Sequence, residues 1–436
     1  MFNKPKFLSL LILIILLGNI IPNFAQTASN QFIYGDLLPD APELAARGNY
    51  AVGVQTLDLI HENQLDILNY GKGGDSLYNR PLKVEIWYPS ESKEGSNEII
   101  SYEEVMGQNG VSSRPIIPFT FLGRATRDAK PAYSVSPYPL VIVSHGYTGS
   151  RYLMTYLTEN LASKGYVVVA IDHTEATFRD AGGFQSTLLN RSLDDLFVLN
   201  EMARLGQDQS SFLNGLLDAN NTALIGYSMG GYGAVNVAGG GYSPQAAQLF
   251  GGMTGGSNAL LKRTVGNPEF EASIDPRIKV IVAFAPWGMQ RGVWNTEGLA
   301  GIKIPSFFIA GSKDDISGYE DGTKAIYEGA VNAERYLLTF KEARHNTAPN
   351  PAPLESLNPG LNIDEYLRYA DSVWDSRRMN NINQHFVTAF LGYYLKNQEE
   401  YKAYFHLNPD SVEKEWPGFK PRTTVGLELE HQSPRN

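Results

Sequence analysis

Thr222-Ala223-Leu224-Ile225-Gly226-Tyr227-Ser228-Met229-Gly230-Gly231, followed by Tyr232 to Ala238, is the stretch on which the fold turns. A short apolar run leads into a glycine-flanked serine, and a helix-compatible run follows. Gly226 and Gly230 stand two residues before and two after Ser228, the G-x-S-x-G pattern in a strand–turn–helix setting. Such a turn holds its serine in strained backbone geometry, so those two neighbours must be nearly without side chains. The hydroxyl is lifted clear of the sheet, at the start of a helix whose dipole favours negative charge. Ser228 is therefore the expected nucleophile. A serine in this role implies an acyl-enzyme formed on a carboxylic acid derivative.

On either side of this stretch, strand-like runs alternate with helical periodicity. Pro139 to Ser144 is a continuous apolar run, as a buried parallel strand requires. A helix is predicted over Tyr152 to Lys164, ending at Gly165, and a second buried strand over Tyr166 to Ile171. Ser192 to Leu205 reads as another helix, with Ser192 and Asp195 as a capping box. Further strands are predicted at Lys279–Phe284, Ile304–Ala310 and Arg335–Phe340. A final helix is predicted over Ile382 to Lys396, with Ile382, Phe386, Phe390 and Tyr394 on one face. Upstream, Tyr50–Ile60 and Leu82–Tyr88, the latter stopped by Pro89, form an antiparallel pair. The sum is an α/β fold: a mostly parallel central sheet, helices on both faces and an antiparallel N-terminal β extension. Residues 26–420 form one domain. The long pieces near 91–133, 239–275 and 347–378 are insertions expected to decorate the site, and the polar tail 421–436 is expected to fray.

The chain has 436 residues and no cysteine, which excludes disulfides, thiolate metal sites and a cysteine nucleophile. With 36 Lys and Arg against 46 Asp and Glu, the net charge of −10 argues against a nucleic-acid partner. Lys4 and Lys6 precede an apolar run from Phe7 to Ile21, and Ala25 follows. Residues 1–25 read as a secretory signal, with an uncleaved membrane anchor as the alternative. The mature chain is expected to be secreted or periplasmic, without stable membrane insertion. No signal for oligomeric state is present.

Ser228 needs an imidazole base, and the order in this architecture is serine, acid, histidine. His61, His145 and His173 come too early. His385 lies in the final helix, and His406 and His431 lie in the tail. His345, in a loop just past the strand ending at Phe340, remains as the base. The acid lies in Gly311-Ser312-Lys313-Asp314-Asp315: Asp314 is preferred and Asp315 is the alternative. The oxyanion of a tetrahedral intermediate needs two backbone donors. Met229 supplies one, and Tyr147, in the loop Ser144-His145-Gly146-Tyr147, supplies the other. The rings of Tyr147 and Trp287, both at carboxyl ends of strands, are candidate walls of the acyl pocket. His145 is expected to brace its loop, and no metal ligand set is assigned.

These residues resemble the α/β-hydrolase superfamily, and within it the platelet-activating-factor acetylhydrolases and the predicted dienelactone hydrolase group. The likeness rests on Val141-Ile142-Val143-Ser144-His145-Gly146, Leu161-Ala162-Ser163-Lys164-Gly165-Tyr166, Ile171-Asp172-His173, Gly226–Gly231 and Val84–Pro89. It implies a serine esterase with a Ser228, aspartate and histidine triad, no cofactor, and a small-molecule or lipid ester as substrate. True dienelactone hydrolases use cysteine, which this chain lacks. A second likeness is to cutinase-like polyester hydrolases, through the aromatic after Gly146, the Ser-Met-Gly-Gly elbow and Trp287. The insertions would partly cover the open groove of those enzymes. The other readings are a serine peptidase of the prolyl-oligopeptidase type and a non-catalytic binding protein on this fold.

Overall fold

A computed structural model describes residue 1 and residues 32–72, 77–91, 98–405 and 416–435. Of the expected leader, residues 1–25, all but residue 1 lie outside the described residues, as does His406. Ile33–Asn436 forms one compact unit.

The strands are β1 (Ala51–Leu65), β2 (Leu77–Ser90), β3 (Ile100–Met106), β4 (Ile117–Gly123), β5 (Thr126–Arg127), β6 (Tyr138–Ser144), β7 (Val167–Asp172), β8 (Leu217–Tyr227), β9 (Ile278–Phe284), β10 (Ser306–Gly311), β11 (Arg335–Phe340) and β12 (Leu427–Gln432). The helices are α1 (Thr155–Ser163), α2 (Phe184–Leu205), α3 (Met229–Val237), α4 (Pro244–Met253), α5 (Pro268–Ala272), α6 (Thr296–Ala300), α7 (Lys324–Gly329), α8 (Ile363–Leu367) and α9 (Ser376–Lys396). The main sheet runs β12-β11-β10-β9-β8-β6-β7-β2-β1-β5. From β11 through β7 every pairing is parallel, whereas β2 joins β7 and β1 joins β2 antiparallel. The parallel sheet and antiparallel N-terminal extension are those expected from the sequence.

Continuous apolar strands are split by the two-residue side-chain period into two cores. Val141 and Val143 of β6 pack on the face with Leu157 and Leu161 of α1 and Phe386 and Phe390 of α9. Leu140 and Ile142 pack on the opposite face with Val198, Leu199 and Met202 of α2 and Val235 of α3. Burial on both faces is why the alternation is missing from the sequence.

Four expectations need correction. The helix predicted from Ser192 begins at Phe184, with Gly183 as N-cap, so Ser192 and Asp195 are mid-helix rather than a capping box. Buried Asn190, Arg191, Asp194 and Asp195 break its apolar periodicity. Pro89 does not stop β2: it pairs with Val52 on β1 and lies past Trp87, the last residue paired with β7. No further ladder bond is then asked of its missing N–H. The helix predicted from Tyr152 begins at Thr155 after a turn. The tail does not fray: β12 pairs antiparallel with β11 from Arg335↔Gln432 to Phe340↔Leu427. Of the insertions, 91–133 contains the separate β3–β4 hairpin, 239–275 contains α4 and α5, and 347–378 contains α8. Among the described residues no helix is long and apolar enough to cross a membrane.

Candidate active site

β8 ends in the turn that carries Ser228, whose φ of 53° and ψ of −111° lie outside the ordinary regions for a side-chain-bearing residue. The turn exists because two neighbours are glycine. A Cβ on Gly226 would fall 2.2 Å from the Gly230 carbonyl oxygen, and one on Gly230 only 1.9 Å from that of Ser144. Ser228 is tied down on both sides: its N–H donates to Phe284 O (2.9 Å), and its carbonyl accepts from Tyr232 (2.9 Å) and Trp287 (3.1 Å).

The loops after β10 and β11 bring the other two groups to this serine. His345 Nε2 lies 3.0 Å from Ser228 Oγ, and His345 Nδ1 lies 3.0 and 2.9 Å from the two carboxylate oxygens of Asp314. Asp314 Oδ1 also accepts the N–H groups of Ile316 and Ser317, each at 2.9 Å, which fixes the carboxylate before it meets the imidazole. The geometry fits an Nδ1–H directed at Asp314 and an Nε2 lone pair directed at the hydroxyl. Asp315, the alternative acid, turns away and pairs with Arg344.

The loop expected to supply the second oxyanion donor follows β6. Gly146 lies so close that a Cβ on it would stand 3.1 Å from Ser228 Cβ. Its carbonyl is held by His145 Nδ1 at 2.5 Å, while His145 Nε2 accepts the His173 N–H at 3.2 Å. Carbonyl and N–H point oppositely across a trans peptide. Fixing Gly146 C=O toward His145 therefore turns the Tyr147 N–H away from His145. Neither the Tyr147 nor the Met229 amide donates to another described group.

A second Ser–His–Asp string lies beneath this loop. Ser144 Oγ meets His173 Nε2 at 2.9 Å, and His173 Nδ1 meets Asp194 Oδ2 at 3.0 Å. Asp194 in turn accepts from Arg80 at 2.9 and 3.0 Å. Ser144 and Asp194 are 0% exposed, so no substrate reaches this string, whereas Ser228 and His345 both line a cavity of about 290 Å³. Burial pushes the His173 imidazole down to about 3, so it stays neutral and acts as a fixed hydrogen-bond bridge. Arg191 Nη1, donating to His145 O at 2.9 Å, completes the brace.

The cavity is also lined by Arg114, Tyr147, Thr148, Leu153, Phe178 and Arg368. Tyr147, a candidate wall, is among the lining residues. Trp287 is not among the lining residues: its ring packs edge-on against Phe184 at 5.2 Å, and Phe184 packs on Tyr147 at 5.4 Å. Two insertions close the far side. Glu365, next in the chain to the cavity-lining Asp364, accepts from Arg114 Nε (2.6 Å) and from the Gly107 N–H (2.8 Å) beside the β3–β4 hairpin. Asn346 accepts from the Tyr227 hydroxyl (2.9 Å) and donates to Leu367 O, tying the histidine loop to α8. Arg114, Asn346 and Arg368 escape sequence reading, since their meeting depends on how the insertions fold. Only the position of Asn346, next to His345, hints at a role. The remaining described histidines stay away from Ser228: His385 accepts the Leu44 N–H at 3.1 Å, His61 stacks on Phe197, and His431 lies on β12.

A family profile described as PET hydrolase-like matches residues 119–249, a stretch holding the oxyanion loop and Ser228. A cutinase (est2) from Thermobifida alba is 36% identical over 214 residues, covering 49% of this chain and 54% of its own. Cutinase 2 from Thermobifida cellulosilytica is 36% identical over 214 residues, 49% of this chain and 62% of its own. The chain thus spans little more than half the length of these curated relatives. A ferulic acid esterase from Streptomyces cinnamoneus superposes with a TM-score of 0.53 at 19% identity, covering 90% of this chain and all of that one, a likeness of fold. By its sheet and its strained serine turn the chain has the α/β-hydrolase fold, and its matched stretch is similar to the cutinases and to the PET hydrolase-like family.

Proposed function

We propose that the protein is a carboxylic-ester hydrolase of cutinase-like chemistry whose nucleophile, base and acid are Ser228, His345 and Asp314. The observation that carries this reading is the His345 ring, which bridges Ser228 Oγ and Asp314 at hydrogen-bond distance in the wall of an open cavity. Ser228 Oγ attacks the ester carbonyl while His345 Nε2 takes its proton. Asp314 holds the imidazole in that tautomer and stabilises the imidazolium. The Tyr147 and Met229 N–H groups receive the developing oxyanion. His345 then protonates the departing alcohol and activates the water that releases the acid.

The relatives that match are cutinases, so the cutinase-like reading takes the place of the platelet-activating-factor acetylhydrolase-like one. The hairpin and α8 segments fence the serine into a chamber of about 290 Å³, which favours small soluble esters over a polymer surface. Ser228→Ala is expected to abolish hydrolysis of p-nitrophenyl butyrate and labelling by a fluorophosphonate while leaving circular dichroism unchanged. Turnover or labelling equal to that of the parent would remove Ser228 from the role.

A further inference from the structure

The cavity wall carries a cation with no counter-ion. Of its acidic neighbours, Asp315 is paired with Arg344, Glu365 with Arg114, and Asp314 is held by His345. Asp364 is solvent-exposed. Arg368 has no acidic side chain within 4 Å among the described residues. Its Nη1 donates to Thr148 O at 3.1 Å and its Nε is buried without a partner. Arg114 shares the same wall, with a buried Nη2 that also lacks a partner. Two guanidiniums in one cavity wall, one of them without an acidic partner, form an arrangement that an anion would stabilise. Burial, with the neighbouring Arg114 charge, lowers the Arg368 pKa from its ordinary value.

Thr148 follows Tyr147 directly, so Arg368 is anchored one residue from the proposed oxyanion amide. The Phe178 ring, 5.8 Å from the guanidinium carbon, supplies an apolar wall beside the charge. An apolar spacer with an anion at its end matches that pairing.

Resting on the esterase reading above, we infer that Arg368 recognises a carboxylate carried by the substrate in addition to its ester, and that the enzyme prefers such anionic esters to their neutral counterparts. The carboxylate can sit on the acyl side, as in a monoester of a dicarboxylic acid, or on the alcohol side, as in an acylated hydroxybenzoate.

Two matched pairs separate these sources. The first is mono-p-nitrophenyl glutarate against p-nitrophenyl pentanoate. The second is 4-acetoxybenzoate against 4-acetoxybenzamide. The parent enzyme is expected to favour the anionic member of one pair by roughly tenfold or more in kcat/KM. Arg368→Gln should erase that preference, lowering kcat/KM for the anionic member by about tenfold more than for the neutral one, and Arg368→Lys should recover part of it. Equal kcat/KM within both pairs, or an equal loss on neutral and anionic esters in Arg368→Gln, would overturn the inference and make Arg368 a prop for Thr148. Calorimetry of glutarate and 4-hydroxybenzoate with Ser228→Ala keeps the two readings apart. Binding of either that Arg368→Gln abolishes supports the anion site even if Ser228 proves not to be the nucleophile. Absent binding of both, beside normal Ser228-dependent turnover of neutral esters, removes the anion site and leaves the esterase.

Discussion

Ser228 owes its position to what its neighbours lack, and His345 owes its direction to what Asp314 already holds. Two backbone N–H groups bind one oxygen of Asp314 before the imidazole does, so the carboxylate cannot swing aside. Asp314→Asn would present an amide that no longer enforces the required tautomer. It is expected to lower kcat by about 10⁴-fold. Asp315→Asn, which disturbs only the pair with Arg344, is expected to stay within a few-fold of the parent. Comparable losses in the two variants would refute the assignment of the acid. His145 works through geometry alone. It holds Gly146 C=O at 2.5 Å and so aims the Tyr147 N–H. Truncating it as His145→Ala frees that peptide to rotate, and one oxyanion donor is worth about 10²-fold in kcat. The loss should fall on kcat with KM little changed; a KM effect alone would mean that the loop shapes binding instead.

At the scale of elements, what was legible in the sequence follows from physics local to each segment. The turn at Ser228 could be read because its sterics involve residues two apart. The strands that lead into the Asp314 and His345 loops could be read because burial on both faces leaves unbroken apolar runs. The first turns of α2, before Ser192, could not, because buried Asn190 and Arg191 interrupt the apolar periodicity, and Arg191 is there to hold His145 O, a contact distant in sequence. Arg368 was invisible for the same reason: its chamber forms only when α8 meets the β3–β4 hairpin. The segment β12 was misread as frayed tail because Leu427-Glu428-Leu429-Glu430 is an edge strand, and edge strands tolerate charge on their open side. In the fold it covers β11, and Tyr336 stacks on His431 at 4.6 Å. A chain ending at Gly426 would bare the backbone groups of β11. It is expected to melt about 5 °C or more below the parent and to aggregate on heating. An unchanged melting temperature would show that the strand adds nothing to stability.

Across the whole molecule, the burial of ionisable side chains has a cost that depends on pH. Asp195, fully buried on α2, is pushed up to about 8 by burial, despite the opposing pull of Arg191. Its folded-state pKa therefore stands above that of the unfolded chain, and between about 4 and 8 the native protein holds a proton that the unfolded chain has released. Stability from this group is greatest below that window and is lost as pH rises through it. Other buried groups act in the opposite sense. His173 and His385 are each lowered to about 3 by burial, so they cost stability as pH falls below the ordinary histidine range. Burial also lowers Lys396, to about 8, and it lowers Lys164 well below the ordinary value. The melting curve of the parent alone therefore mixes several titrations, and a single substitution is needed to isolate one. Asp195→Asn keeps the shape of the protonated acid and removes its titration. The melting temperature of the variant minus that of the parent should increase steadily from pH 5 to pH 8. A difference that is flat, or that shrinks, would mean that Asp195 is ionised in the folded protein, with the Arg191 charge outweighing the effect of burial.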